Sequence, residues 1–230
     1  MKFAAALGLA LALPAPALAQ AYQCTLPQRV DSLPAVQPDG PSRRVPIAGY
    51  TLAASWSPEY CHDDTTSMQC SGRNGRFGFV LHGLWPEARS GPAPQWCAME
   101  PRPSPELIRR NLCITPVPWL LAHEWAKHGS CITKTPEAYF RTSSILWNSL
   151  NWPDADRLSR RRGLTVGDLR EAFVIANPEW RRDMVGVLLS QNGWLREVHL
   201  CYGRDFMPAA CPRGDLGPPD GAELKIWRGM

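Results

Sequence analysis

Apolar and polar residues follow two rhythms along this chain. Gly49 to Ser57 (GYTLAASWS) and Arg76 to His82 (RFGFVLH) are short runs of β-forming residues. They predict strands, and the second, apolar on both faces, predicts a position in the middle of a sheet. Met184 to Ser190 and Trp194 to Tyr202 flank Gln191-Asn192-Gly193, a turn signal that predicts two paired strands. Helical signals lie between these runs. Pro116 and Pro118 set the start of a helix over Trp119 to His128, with Gly129 at its C′ position. Thr135 caps a helix that opens on Pro136 and runs to about Leu150. Thr165 and Asp168 form a capping-box pair for a helix ending at Ala176, and Glu106 to Leu112 predicts a short one. Residues 21–48, rich in Pro, Gln and Arg, read as an arm or loop pinned at Cys24, and 61–75 as a polar loop bounded by cysteines. The prolines from Pro86 to Pro105 exclude regular structure there. Without strict βαβ alternation, the pattern predicts an α+β fold: a central, mainly antiparallel sheet flanked by helices.

The beginning of the chain stands apart. Lys2, an apolar run from Phe3 to about Leu13, Pro14, Pro16 and the small-residue site Ala17-Leu18-Ala19 have the form of a signal peptide over residues 1–19. The run falls short of the ~20 apolar residues of a spanning helix. The expectation is therefore an exported protein, periplasmic or secreted, with no membrane segment. Residues 20–230 then form a single domain, and the chain a monomer. Export changes the meaning of the eight cysteines. In an oxidising compartment an even count predicts four disulfides, and no CxxC pair favours a zinc site instead. Cys61–Cys70 and Cys201–Cys211 are the natural short loops. An apolar content of 44% with 20% charged residues excludes wholesale disorder. The formal charge of +4 permits an anionic partner without requiring one.

Two segments hold three of the five histidines. His82-Gly83-Leu84-Trp85-Pro86 ends the second predicted strand, with an indole close to the imidazole. In His123-Glu124-Trp125-Ala126-Lys127-His128-Gly129-Ser130-Cys131, α-helical spacing stacks His123 over Lys127 and Glu124 over His128 and leaves Trp125 and Ala126 to bury. The HExxH zinc signature fails here, because Lys127 stands at i+4 and its charge repels a divalent cation. No metal or cofactor is expected. Two imidazoles, an ammonium and a carboxylate suit an anion. Cleavage of RNA by its own 2′-hydroxyl needs a base, an acid and cations around the phosphorus.

The two segments HGLWP (82–86) and HEWAKHGSC (123–131) resemble the active-site motifs of the ribonuclease T2 family, and CYGRDFMPAACP (201–212) extends the likeness. The resemblance implies metal-independent endonucleolytic cleavage of single-stranded RNA through a 2′,3′-cyclic phosphate to 3′-phosphate ends. It implies His128 as general base, His82 as general acid and His123 as phosphate ligand, with Glu124 and Lys127 stabilising the transition state. Trp85 would stack on the base at the cleavage site, and Glu87 would read it. The resemblance also pairs Cys97 with Cys131 and, with that bridge in place, Cys24 with Cys113. Ser55 replaces a glutamine common in the family, and Leu120 an aromatic residue, both at the downstream base site. Two competing readings stand beside it: a zinc-dependent phosphoesterase, and a catalytically silent RNA-binding or defence protein on the same fold. His62 and His199 read as structural or solvent-facing. Arg160-Arg161-Arg162 reads as a solvated loop, with phosphate binding as the lesser alternative.

Overall fold

The structure, a computed structural model, describes residues 21–228. The signal peptide expected over 1–19 lies outside the described residues. Four strands form one antiparallel sheet: β2 (Ile47–Trp56), β4 (Phe79–Ala88), β5 (Val185–Leu189) and β6 (Leu195–Gly203), in the order β4-β2-β6-β5. A two-stranded sheet pairs β1 (Ala21–Cys24) with β3 (Gly75–Phe77). Among the described residues the α-helices are α1 (Ser57–Asp63), α2 (Pro105–Asn111), α3 (Pro118–Glu124), α4 (Ser130–Ile132), α5 (Pro136–Asn148), α6 (Ala155–Leu158) and α7 (Val166–Ala176). This is the expected α+β architecture. Thr135 accepts from Ala138 N–H to open α5, and the Thr165–Asp168 capping box opens α7.

Several expectations are corrected. RFGFVLH is neither one strand nor central: Arg76 and Phe77 fall in β3, Phe79 to His82 open β4, and β4 is an edge strand. Its open side is covered by the segment after α2, where Leu81 N–H donates to the Ile114 carbonyl (2.9 Å) and Thr115 Oγ1 to the Leu81 carbonyl (2.6 Å). That cover explains apolar residues on both faces. An edge position also lets β4 run through Pro86 to Ala88, because a proline there breaks no ladder bond. The arm over 21–48 contributes β1, and the loop expected from residue 61 begins inside α1, where Pro58 sets the first turn. The short α6, capped by Asp154, has no counterpart in the pattern reading.

The helix after Pro118 also differs. Gly129 does not end it. Trp125–Gly129 forms a π-helical turn and the helix continues into α4. Gly129 is needed for packing instead: a Cβ there would lie 2.7 Å from the rings of Trp125 and Tyr139.

Opposite residues of an antiparallel pair share a face. One face of the sheet carries Leu52, Ala54, Trp56, Val198 and Leu200, all buried in the cluster that includes Phe140, Trp147 and Phe173 of α5 and α7. The other carries Thr51, Ala53 and Ser55 against Cys201, His199 and Glu197. Disulfides join Cys24–Cys113, Cys61–Cys70, Cys97–Cys131 and Cys201–Cys211.

Candidate active site

The site lies on this second, polar face. In the β2–β4 ladder Ala53 pairs with Gly83 and Ala54 with Leu81, so His82 is an extra residue in β4. A bulge of this kind re-aims a side chain. It places His82, Trp85 and Glu87 on one face, while Leu81 and Leu84 stay buried. His82 and Trp85, three apart, thereby meet with ring centroids 5.2 Å apart.

The second motif faces them from the helix. An i→i+5 turn over Trp125–Gly129, a form that recurs at functional sites, carries Lys127 and His128. The pairs read from the sequence each share a partner: His123 and Lys127 meet at Asp39, and Glu124, 3% exposed, and His128 meet at Trp85. The Lys127 carbonyl accepts from Trp96 N–H at 2.8 Å. Trp96 holds a left-handed backbone (φ 53°) to make that bond, and Cys97–Cys131 ties the same loop to the helix.

Three groups of contacts organise the site. Trp85 Nε1 donates to Glu124 Oε2 at 2.7 Å, and its ring centroid lies 5.5 Å from that of His128 and 5.2 Å from that of His199. Gly83 makes room for the carboxylate, since a Cβ there would stand 2.0 Å from Glu124 Oε2. His82 Nδ1 lies 2.8 Å from Glu197 Oε1, while its Nε2 is 3.6 Å from Glu124 Oε1. Ser55 Oγ donates to Glu197 Oε1 at 3.0 Å, and His199 Nε2 is 2.9 Å from Glu197 Oε2. On the far side, Lys127 Nζ lies 2.6 Å from Asp39 Oδ2, with His123 Nε2 at 4.0 Å and Trp96 Nε1 donating to Asp39 Oδ1 at 3.1 Å. Trp119, 50% exposed, stacks on His123 with centroids 4.9 Å apart.

Environment drives the titrating groups apart. Burial pushes the His128 imidazole down to about 3, helped by the charges of Lys127, His123 and His82. Burial also disfavours charge on His82, but the hydrogen bond to Glu197 and the charges of Glu124 and Glu197 outweigh it and raise His82 above its usual value. Glu124 is pushed up to about 7 by burial, against the pull of His82 and Trp85. Burial opposes ionisation of Glu197, yet its bonds to His199 and His82 hold it well below the carboxylate range. Burial and Lys127 lower His123. Burial raises the half-buried Glu87, with Asp215 adding to the effect.

The residues named from the sequence thus fall into one site, with Glu87 on the same strand face. Glu197, Asp39 and Trp119 were missed, and His199 was given a structural role. The alternation Glu197-Val198-His199-Leu200, with two polar residues on one face of a strand, was the available signal for the β6 pair. Of the basic run, Arg160 pairs with Asp156 and Arg161 with Asp168 on the surface. Among the described residues, no group of three or more His, Cys, Asp or Glu side chains is placed to hold a metal ion. No helix among them is long and apolar enough to cross a membrane.

The profile of the ribonuclease T2 family matches residues 48–155, which include both histidine motifs. A ribonuclease of Aeromonas hydrophila is 31% identical over 162 residues, 68% of this chain and 72% of that protein. This chain belongs to the ribonuclease T2 family. A probable ribonuclease of Haemophilus influenzae is 36% identical over 191 residues, 75% of this chain. The match spans 64% of that relative's length. The fold is shared with trichomaglin, described as an S-like ribonuclease (TM-score 0.64, 18% identity, 80% of this chain and 99% of that one). It is shared too with RNase NT, solved with 5′-AMP (TM-score 0.63, 20% identity, 81% and 100%).

Proposed function

We propose that this protein is an endoribonuclease that cleaves single-stranded RNA by metal-independent transesterification. The observation that carries the reading is the pair of imidazoles around Trp85, one pushed toward neutrality and the other toward the imidazolium. Opposed shifts in adjacent groups assign a base and an acid. Neutral His128 takes the proton of the 2′-hydroxyl, and the 2′-oxygen attacks phosphorus. His82 gives its proton to the departing 5′-oxygen, leaving a 2′,3′-cyclic phosphate. In the second step the roles exchange: His82 activates water, His128 protonates the 2′-oxygen, and a 3′-phosphate remains.

His123 and Lys127 hold the non-bridging oxygens, and the phosphate replaces Asp39 as the anion on Lys127. Glu124, poised near neutrality, in its protonated form donates to a phosphoryl oxygen as charge develops there. Trp85 stacks on the base at the cleavage site, Glu87 reads that base, and the Trp119 ring offers a second stacking face beside His123. No cofactor is needed. A neighbour of this fold solved with 5′-AMP supports a nucleotide as ligand. The same proposal has the chain exported by its 1–19 leader and acting as a monomeric single domain, periplasmic or secreted, where four disulfides persist.

The test is to incubate the oxidised protein with single-stranded RNA in excess EDTA and analyse the product ends. The reading expects 2′,3′-cyclic phosphates that turn into 3′-phosphates. Cleavage only after zinc is restored, or none in either condition, would reject it.

A further inference from the structure

The RNA-cleavage reading assigns no part to Glu197, which lies outside the segment matched by the family profile. Its contacts are specific. Both carboxylate oxygens are engaged: Oε1 by Ser55 Oγ (3.0 Å) and His82 Nδ1 (2.8 Å), Oε2 by His199 Nε2 (2.9 Å). The side chain is 15% exposed. Glu197, Ser55 and the bulged His82 come from three adjacent strands: Ser55 and Glu197 are directly paired, and the bulge brings His82 to the same face. Among the described residues, His199 Nδ1 is buried without a partner, so the hydrogen bond this ring makes through Nε2 is the one to Glu197.

We propose that Glu197 is the positioning residue for His82, clamping Nδ1 so that Nε2 carries the transferable proton, with Ser55 and His199 fixing the carboxylate in turn. The inference rests on the RNA-cleavage reading above and adds to it a residue that touches no substrate. A carboxylate on one imidazole nitrogen sets the tautomer and orientation of the ring and stabilises its charged form. Nε2 is the nitrogen left facing Glu124, across 3.6 Å. The other charges that face His82 are Glu124 from α3, which favours the imidazolium, and Lys127 from the π-helical turn, which opposes it. Glu124 is pushed up to about 7 while Glu197 is held well below the carboxylate range, so Glu197 is the more persistent anion at mildly acidic pH. His199 also meets the Trp85 ring edge-on, so the clamp extends to the indole.

The experiment pairs two readouts on Glu197→Gln. NMR titration of the His82 ring in the free protein should show its pKa lowered by about one unit or more, the size of effect an adjacent opposite charge exerts. The alkaline limb of kcat/KM against pH should move down by the same amount. At pH 7 kcat should fall about tenfold or more with KM within about twofold, because orientation and proton supply are lost and binding is not. Ser55→Ala should shift both in the same direction by less. An unmoved His82 titration, or a raised KM with kcat intact, would overturn the proposal. If Glu197→Gln fails to fold, Ser55→Ala and His199→Gln read the same titration in folded protein. A wild type that leaves RNA intact would sink the functional reading, while the titration would still decide whether Glu197 governs His82.

Discussion

Gly83 offers a sharp perturbation, because it takes part in no proton transfer. In Gly83→Ala the new Cβ would stand 2.0 Å from Glu124 Oε2 and 2.7 Å from Trp85 Nε1. Neither neighbour is a loose surface group. Glu124 is 3% exposed, with its carboxylate held by the 2.7 Å bond from Trp85. The carboxylate must swing away and that bond must break. A hydrogen bond to a charged group contributes about 1.5–3 kcal/mol. Expressed fully in the transition state, that is a loss of about 10- to 150-fold in kcat/KM. Overpacking costs about 1–3 kcal/mol of stability, and each kcal/mol lowers Tm by about 2–4 °C in a protein of this size. The assay is a dinucleotide cleavage series beside thermal melts of the same preparations. Adding Glu124→Ala to Gly83→Ala should restore much of the Tm and none of the activity, because the clash disappears while the carboxyl stays absent. A Gly83→Ala protein within about threefold of native activity and about 1 °C of native Tm would refute the close packing of these three groups.

Other consequences follow from the same contacts. His128 must be neutral to act as base and is so above about 3, and His82 must be protonated to act as acid and is so below its raised pKa. The kcat/KM profile should therefore hold through mildly acidic pH and fall on the alkaline side, above 6.5; a maximum at pH 9 would contradict the assignment. Asp39→Asn removes the anion from Lys127 and His123. Because Asp39 is 52% exposed, inhibition by inorganic phosphate should strengthen only about two- to fivefold; weaker inhibition would mean that Asp39 organises Lys127 and His123 rather than competing with phosphate for them. Cys24–Cys113 closes a sequence separation of 89, so replacing both by serine should cost about 4–5 kcal/mol on the chain-entropy model. Guanidinium unfolding of the double variant measures it, and an unchanged midpoint would contradict it.

Chemistry that is local in sequence was the most legible. HGLWP lies within one strand and HEWAKHGSC within one continuous helical segment, so their side chains were readable as a set, as were the capped starts of α5 and α7. What escaped depends on partners far along the chain. Glu197 meets His82 across 115 residues and Asp39 meets Lys127 across 88, and no local pattern encodes either. The two irregularities that aim the histidines were also missed. The bulge at His82 breaks the period of two, and the π-helical turn departs from the 3.6-residue period over Trp125–Gly129, so a regular template encodes neither. The edge position of β4 was hidden for a related reason: a covered edge and a central strand have the same apolar composition.

In the proposed mechanism the 2′-hydroxyl of the RNA is the nucleophile, with His128 and His82 on either side of the phosphorus. An RNA oligonucleotide with a single 2′-deoxy nucleotide tests it most directly, with cleavage mapped linkage by linkage in EDTA. Cleavage should stop at the linkage 3′ to the deoxy sugar, while every neighbouring linkage is cut at its ordinary rate. Continued cutting at the deoxy linkage would contradict it, because the attacking oxygen would then come from water.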